Sequence, residues 1–266
     1  MTTRTSPWPT GAPCWTDLAT PDVEAARKFF GEVLGWTFQA AGEGYGGYVI
    51  AERVGGTTAG IGPLQPGQQR PSWTLYFASD DADRTAGDVT AHGGSLLLPP
   101  GDVGDMGRMF IASDPTGAVF GIWQAGAAIG ASLVNEPGGI TWEDLRSTDP
   151  DAAREFYGAL FNFDFQALTA AGTDYTTFHL QGDPAPLGGM GGMFGAADGT
   201  PSHWLVYFSV SDADEATAAV ASHGGQVIAG PFDTPFGRMA GVADPAGAIF
   251  WIAQTAPSQA MPDRSG

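Results

Sequence analysis

The sequence predicts an α+β fold of two tandem domains, each built from two strand–helix–three-strand units. Two observations carry this. First, one pattern is written four times, from Trp15 through Asp22 to Gly35, Trp73 through Asp81 to Gly94, Trp142 through Asp149 to Asn162, and Trp204 through Asp212 to Gly225. The interval from the acid to the glycine or asparagine is 13 residues each time, and that from the tryptophan to the acid runs 7, 8, 7, 8. Second, the copies alternate in type, so the larger repeat is a pair of them, and a repeat of that kind fixes architecture more firmly than local propensity does. WTDLATPDVEAARKFFGEVLGWTF (15–38) aligns without a gap on WEDLRSTDPDAAREFYGALFNFDF (142–165), and DPTGAVFGIWQ (114–124) on DPAGAIFWIAQ (244–254). The offset drifts from 127 to 131 and back to 130, which puts the length changes in loops. Domains over 10–125 and 138–256 follow, with 125–139 as the linker.

Each unit reads the same way. Apolar aromatic runs such as CWTDLA and WTLYFAS suit strands. Asp22, Asp81, Asp149 and Asp212 then open helices as N-caps. Ala25, Ala26, Phe29, Phe30 and Val33 recur at helical spacing and mark a buried face. Gly35, Gly94, Asn162 and Gly225 fall where a left-handed residue ends a helix. The chain returns as strands over 48–51, 58–61, 176–180 and 187–193. The DP-x-G turns at Asp114 and Asp244 close the last hairpin of each half. Two units per half give a curved eight-stranded sheet with helices on its outer side.

Composition narrows the function. A net charge of −18 over 266 residues repels phosphates and argues against a nucleic-acid partner. No run is long and apolar enough to span a membrane, and the first residues lack the apolar stretch of a signal peptide. A cytoplasmic protein is expected, with the polar stretch from Pro257 outside the core. The single cysteine, Cys14, lies in an apolar strand and reads as a small buried side chain.

The order of elements, the FF/FYG–LGW run after the capping aspartate and the DP-x-G hairpin resemble the glyoxalase/bleomycin-resistance/dioxygenase superfamily, also called vicinal oxygen chelate proteins. The resemblance covers residues 10–255 and is nearest to a two-domain actinobacterial branch. It implies glyoxalase-like domains, each shaped as a cup that holds a ligand or a metal. Family metal ligands would fall at Trp15 and Trp142, at Thr74 and Leu205, and at Gly121 and Trp251. None of these is a usual metal donor apart from a weak threonine. No metal and no cofactor are therefore expected.

Strand alternation sets what should face each cup. Trp15, Tyr76, Met109, Gly121 and Trp123 belong to the first, and Trp142, Tyr207, Met239 and Trp251 to the second, with His179 beside it. Asp17 and Asp144 stand two residues after the first-strand tryptophans and share their face. A carboxylate beside an indole has a raised pKa and can act as a base or hold a cation; the alternative is a carboxylate satisfied by neighbouring strands. His179 and His203 lie only in the second half and read as hydrogen-bonded histidines or as proton carriers. His92 and His223 complement helix C-termini. Arg108 and Arg238 should point away from the cups toward acids. The leading function is metal-independent binding of an apolar or aromatic small molecule, such as a natural product or antibiotic, by a sequestering or accessory protein acting as a monomer or homodimer. The alternative is an enzyme (a lyase, isomerase or hydroxylase) with Asp17 or Asp144 as general base.

Overall fold

The structure is a computed structural model that describes residues 3–168 and 174–255. The stretch from Pro257 lies outside the described residues. The first half runs β1 (Pro13–Thr20), α1 (Val23–Leu34), β2 (Thr37–Ala40), β3 (Val49–Arg53), β4 (Gly56–Pro63), β5 (Ser72–Ala78), α2 (Ala82–Ala91), β6 (Ser95–Val103), β7 (Gly107–Ser113) and β8 (Val119–Ala125). The second runs β9 (Ile140–Arg146), α3 (Pro150–Phe161), β10 (Asp164–Ala167), β11 (Tyr175–His179), β12 (Gly188–Gly191), β13 (His203–Ser209), α4 (Ala213–Ser222), β14 (Gln226–Thr234), β15 (Gly237–Ala243) and β16 (Ile249–Thr255). Each half forms one eight-stranded sheet, ordered β2-β3-β4-β1-β5-β8-β7-β6 and β10-β11-β12-β9-β13-β16-β15-β14. The two units of a sheet meet at an antiparallel seam, β1 with β5 and β9 with β13. The cups open on the face opposite the helices.

The four helices start where the aspartates place them. Asp22, Asp81, Asp149 and Asp212 each accept a backbone N–H of the first turn, which satisfies a donor the helix cannot. Gly35 and Asn162 take the left-handed conformation at the helix ends, φ 68° and 57°. The other two ends differ from the expectation. There the left-handed residues are Gly93 and Gly224, one position earlier. Gly94 and Gly225 are small for a different reason, namely close packing. A Cβ on Gly94 would press on Val89 and on Phe156 of the other half, and one on Gly225 on Val220 and Phe29. His92 and His223 bond through Nδ1 to carbonyls of the last turn.

The helix-bearing faces of the two sheets turn toward each other. β5 lies against β13, α1 against α4 and α2 against α3, so the helices outside the cups are inside the molecule. One continuous core results, drawn from both halves, where composition alone left room for two. Trp36 sits edge-on to Phe208 at 5.1 Å between centroids, and Phe77 edge-on to Trp204 at 5.2 Å. Trp73 and Trp204 take the face opposite Trp15 and Trp142 and anchor this interface. The Trp204 indole donates to the Tyr157 hydroxyl at 2.9 Å. The Trp73 indole, whose counterpart of Tyr157 is Phe30, is buried without an acceptor.

Residues 125–139 are docked rather than loose. Ala131 N–H donates to the Cys14 carbonyl, and Ser132 and Leu133 N–H to the Thr57 carbonyl, while Trp36 donates to the Gly138 carbonyl. Ala131 and Leu133 are buried. The segment thus closes one wall of the first cup. Cys14 is buried, and burial raises its thiol pKa well above the ordinary value. Arg108 pairs with Asp83 and Asp102, and Arg238 with Asp214 and Asp233, all outside the cups.

Candidate functional site

Each cup holds one cavity, of about 370 Å³ in the first half and about 340 Å³ in the second, within the range of small-molecule sites. Trp15, Asp17, Tyr76, Met109 and Trp123 line the first; Trp142, Asp144, Tyr207, Met239 and Trp251 line the second. Four residues expected there do not line them. Thr74 and Leu205 pair across the seam with Asp17 and Asp144 and stand beside the cavities. Gly121 adds no room, because the Tyr76 ring lies over it so closely that a Cβ would overlap the ring. His179 is buried beside the second cup, its Nε2 2.8 Å from the Thr177 hydroxyl. His203 bonds through Nδ1 to the Pro201 carbonyl.

The carboxylate of the first cup is held by phenols. Tyr76 and Tyr48 donate to the same Asp17 oxygen, Oδ2, at 3.1 and 3.4 Å. Tyr48 in turn accepts from the Trp15 indole at 3.0 Å. Oδ1 accepts no hydrogen bond from a described residue, and no cationic side chain pairs with Asp17. Burial pushes its pKa from the ordinary 3.8 up to about 7, against the pull of the two tyrosines. The same burial and the neighbouring carboxylate raise both phenols well above their usual range. A glycine makes the clasp possible. Gly60 pairs with Asp17 on β4, and a Cβ there would occupy the place of the Tyr48 hydroxyl.

The second cup repeats the clasp and adds a charge. Trp142 donates to Tyr175, Tyr175 to Asp144 Oδ1 at 2.8 Å, and Tyr207 to Asp144 Oδ2 at 3.2 Å. Gly189 does for Tyr175 what Gly60 does for Tyr48. Here, however, Arg146 bonds Asp144 Oδ2 at 2.5 Å. Asp144 is 2 % exposed. Burial pushes its carboxyl up, opposed by Arg146 and the two phenols. Burial would lower the Arg146 guanidinium, but the Asp144 charge and the Tyr207 and Tyr175 phenols together outweigh it. An ion-paired Asp144 is a poorer base than Asp17, so the two halves are not equivalent as the repeat suggested.

Tyr48, Tyr175 and Arg146 escaped the sequence reading. A signal existed for all three. The tyrosines are 127 apart, the offset of the first unit, and Arg146 stands where DLAT (17–20) becomes DLRS (144–147). The phenylalanines at the second mouth, Phe194, Phe232 and Phe236, come from loops and an edge strand with no repeat signal.

The fold's usual metal does not fit these residues. Cross-strand pairing sets Trp15, Tyr76 and Gly121 in one row, and Trp142, Tyr207 and Trp251 in the other. The rows offer indoles, and phenols that are spent on the aspartates, where a divalent ion needs imidazole or carboxylate. Among the described residues no three His, Cys, Asp or Glu side chains converge to hold an ion.

The two halves thus form a tandem pair of cups, each with an aromatic lining around one clasped carboxylate. The model of the Glyoxalase/Bleomycin resistance protein/Dioxygenase superfamily matches residues 14–143 and 139–252, and the chain belongs to that superfamily. It is 42% identical over 256 residues to "Putative glyoxylase CFP32" of Mycobacterium tuberculosis, covering 94% of this chain and 97% of that one. It is 34% identical over 259 residues to "Anthracycline biosynthesis protein DnrV" of Streptomyces peucetius, covering 92% and 93%. Among solved structures, the 2,3-dioxygenase LapB of Pseudomonas sp. KL28 superposes with a TM-score of 0.64 at 14% identity, over 94% of this chain and 96% of that one. The Mn(II)-bound glyoxalase of Novosphingobium aromaticivorans does so at 0.63 and 15%, over 92% and 82%. Those two likenesses are of fold.

Proposed function

We propose that this chain binds a flat, largely apolar organic molecule in its N-terminal cup, as a sequestering or accessory protein of the cytoplasm, without a metal. One observation carries the reading. Asp17 presents an unpaired Oδ1 to a cavity walled by Trp15, Tyr76, Trp123 and Met109, so an aromatic ligand gains stacking area and one strong acceptor. The relative named for anthracycline biosynthesis supports a fused-ring, hydroxyl-bearing ligand. Isothermal titration and tryptophan quenching with 1,4-dihydroxyanthraquinone test it. The expected result is saturable binding that Asp17→Asn weakens about tenfold, the size of one hydrogen bond to a charged acceptor. Absence of saturable quenching would refute it.

A second reading rests on the protonation of the same group. A carboxyl near pH 7 suits a general base, so Asp17 can serve a metal-independent lyase, isomerase or hydroxylase. Asp144 is the weaker candidate because Arg146 pairs with it. Turnover of a bound ligand that stops in Asp17→Asn while binding persists selects this reading.

A further inference from the structure

Among the differences between the two cups is one on the first strand, beside the aspartate, and that residue changes what each can recognise. β1 alternates so that Trp15, Asp17 and Ala19 share the cup face, and β9 so that Trp142, Asp144 and Arg146 do. Where the first cup has a methyl group, the second has a guanidinium. Arg146 spends Nη2 on Asp144. Its side chain lines the cavity, and none of its nitrogens is both buried and without a partner. The Tyr207 hydroxyl is a second hydrogen-bond partner, and five N–H donors on a planar fork exceed what one carboxylate oxygen and one phenol take up, so donors remain that are open to the cavity or to solvent. Asp144 already receives both phenols, so it does not need the whole fork.

The wall around that fork is aromatic. The guanidinium lies 4.6 Å from the Phe194 ring centroid and 6.0 Å from that of Tyr175, which holds its plane in place. Trp251 stacks on Tyr207 at 5.4 Å and meets Phe232 edge-on at 6.1 Å. Phe194, Phe232 and Phe236 line the mouth and are 43, 42 and 45 % exposed. Half-exposed rings around a fixed cation describe a site for a flat ring that carries an oxygen anion. The first cup offers the reverse, an acceptor with no cation.

We infer that the C-terminal cup is a separate binding site for planar aromatic carboxylates, anchored by Arg146, so that one chain holds two ligands of opposite hydrogen-bonding polarity. The inference rests on the cups being ligand sites.

The test is isothermal titration of the full chain with 2-naphthoate. Wild type is expected to bind one equivalent. Removing Arg146 alone leaves Asp144 buried and unpaired, so the pair is neutralised together as Asp144→Asn with Arg146→Gln, and the affinity is expected to fall at least about tenfold. The converse variant, Ala19→Arg, places a guanidinium beside Asp17 and is expected to raise the stoichiometry from about one to about two. Unchanged affinity in the folded double variant overturns the inference, as does an unchanged stoichiometry in Ala19→Arg. Either result leaves the dihydroxyanthraquinone site of the first cup standing. Failure of wild type to bind 2-naphthoate overturns the inference, and failure to bind both probes overturns the small-molecule reading with it.

Discussion

Asp17→Asn removes the clasped carboxyl at the floor of the first cup, and its effect on stability should depend on pH in a direction the structure sets. The site favours the protonated acid, because burial raises the pKa from 3.8 to about 7. The stabilisation from this group is therefore complete below the unfolded value, declines as the pH rises, and is gone once the pH passes about 7. Each pH unit inside that window amounts to about 1.4 kcal/mol. Going from about pH 5 to about pH 8 crosses most of the upper part, a loss of about 2.7 kcal/mol for a fully dry carboxyl. Asp17 is only half-buried and solvent reaches it through the cavity, which brings the expected loss to about 2 kcal/mol. The asparagine variant has no proton to exchange there. Its own packing cost is the same at every pH and cancels in the difference. Urea unfolding of both proteins at several pH values in this range measures the quantity directly. Wild type should lose about 2 kcal/mol relative to Asp17→Asn between the two ends. Parallel curves, with a difference that stays within about 0.5 kcal/mol, would show that the phenols and water keep Asp17 an ordinary carboxylate. The case for it as anchor or base would then fall.

Phe30→Tyr should stabilise the chain by about 1 kcal/mol, the net value of a buried hydrogen bond, because it recreates on the first helix the hydroxyl that Tyr157 gives Trp204. Trp73 Nε1 is buried without a partner and stands where Trp204, which donates to Tyr157, stands in the other half; urea unfolding decides, and a loss of stability would mean that no room exists for the oxygen. Because one core joins the halves, the full chain should unfold in a single step, with equal calorimetric and van't Hoff enthalpies; two resolved transitions would contradict the shared core.

The fold was legible because its signals are periodic and doubled. A helix cap and an apolar helical face are local and each occurs four times, and the DP-x-G turn occurs twice, so an error in one copy is checked by the others. The helix-end glycines show the limit of that argument. Gly94 and Gly225 recur at the right interval, but the reason is crowding by a helix valine, a strand carbonyl and a phenylalanine from the opposite half, and no local pattern encodes the last two. The cup face of β1 and β9 was also legible, since alternation from Trp15 and Trp142 carries Asp17 and Asp144 with it. What closes around those aspartates was not. Tyr48 reaches Asp17 from the residue just before β3, across β4 and over a glycine, and two-residue alternation says nothing about a side chain that crosses a strand. Gly121, expected to face the cup, is covered for a similar reason, since the ring above it comes from the neighbouring strand. Arg146 was visible as a mismatch between repeats, but only the structure shows that its fork lies along the cup rather than at the rim.

Each half keeps a tryptophan, two tyrosines and an aspartate at the floor of its cup, and together they form one unit. The indole orients one phenol, both phenols hold the carboxylate, and a glycine opposite gives them space. Losing any member strands the rest: without the phenols a buried carboxylate has no donors, and with a Cβ at position 60 or 189 a phenol has no place to lie. Such a unit survives duplication intact because its parts are mutually dependent. Variation then falls on positions that touch the unit without belonging to it. Position 19 or 146 is one of these, sharing the face of the aspartate but bonded to neither phenol by necessity. An alanine there leaves an acceptor that must draw its donor from a ligand. An arginine supplies a donor from within and turns the remaining N–H groups outward. On the reading proposed above, the same floor serves two chemistries, and the residue that separates them can be exchanged without rebuilding the clasp beneath it.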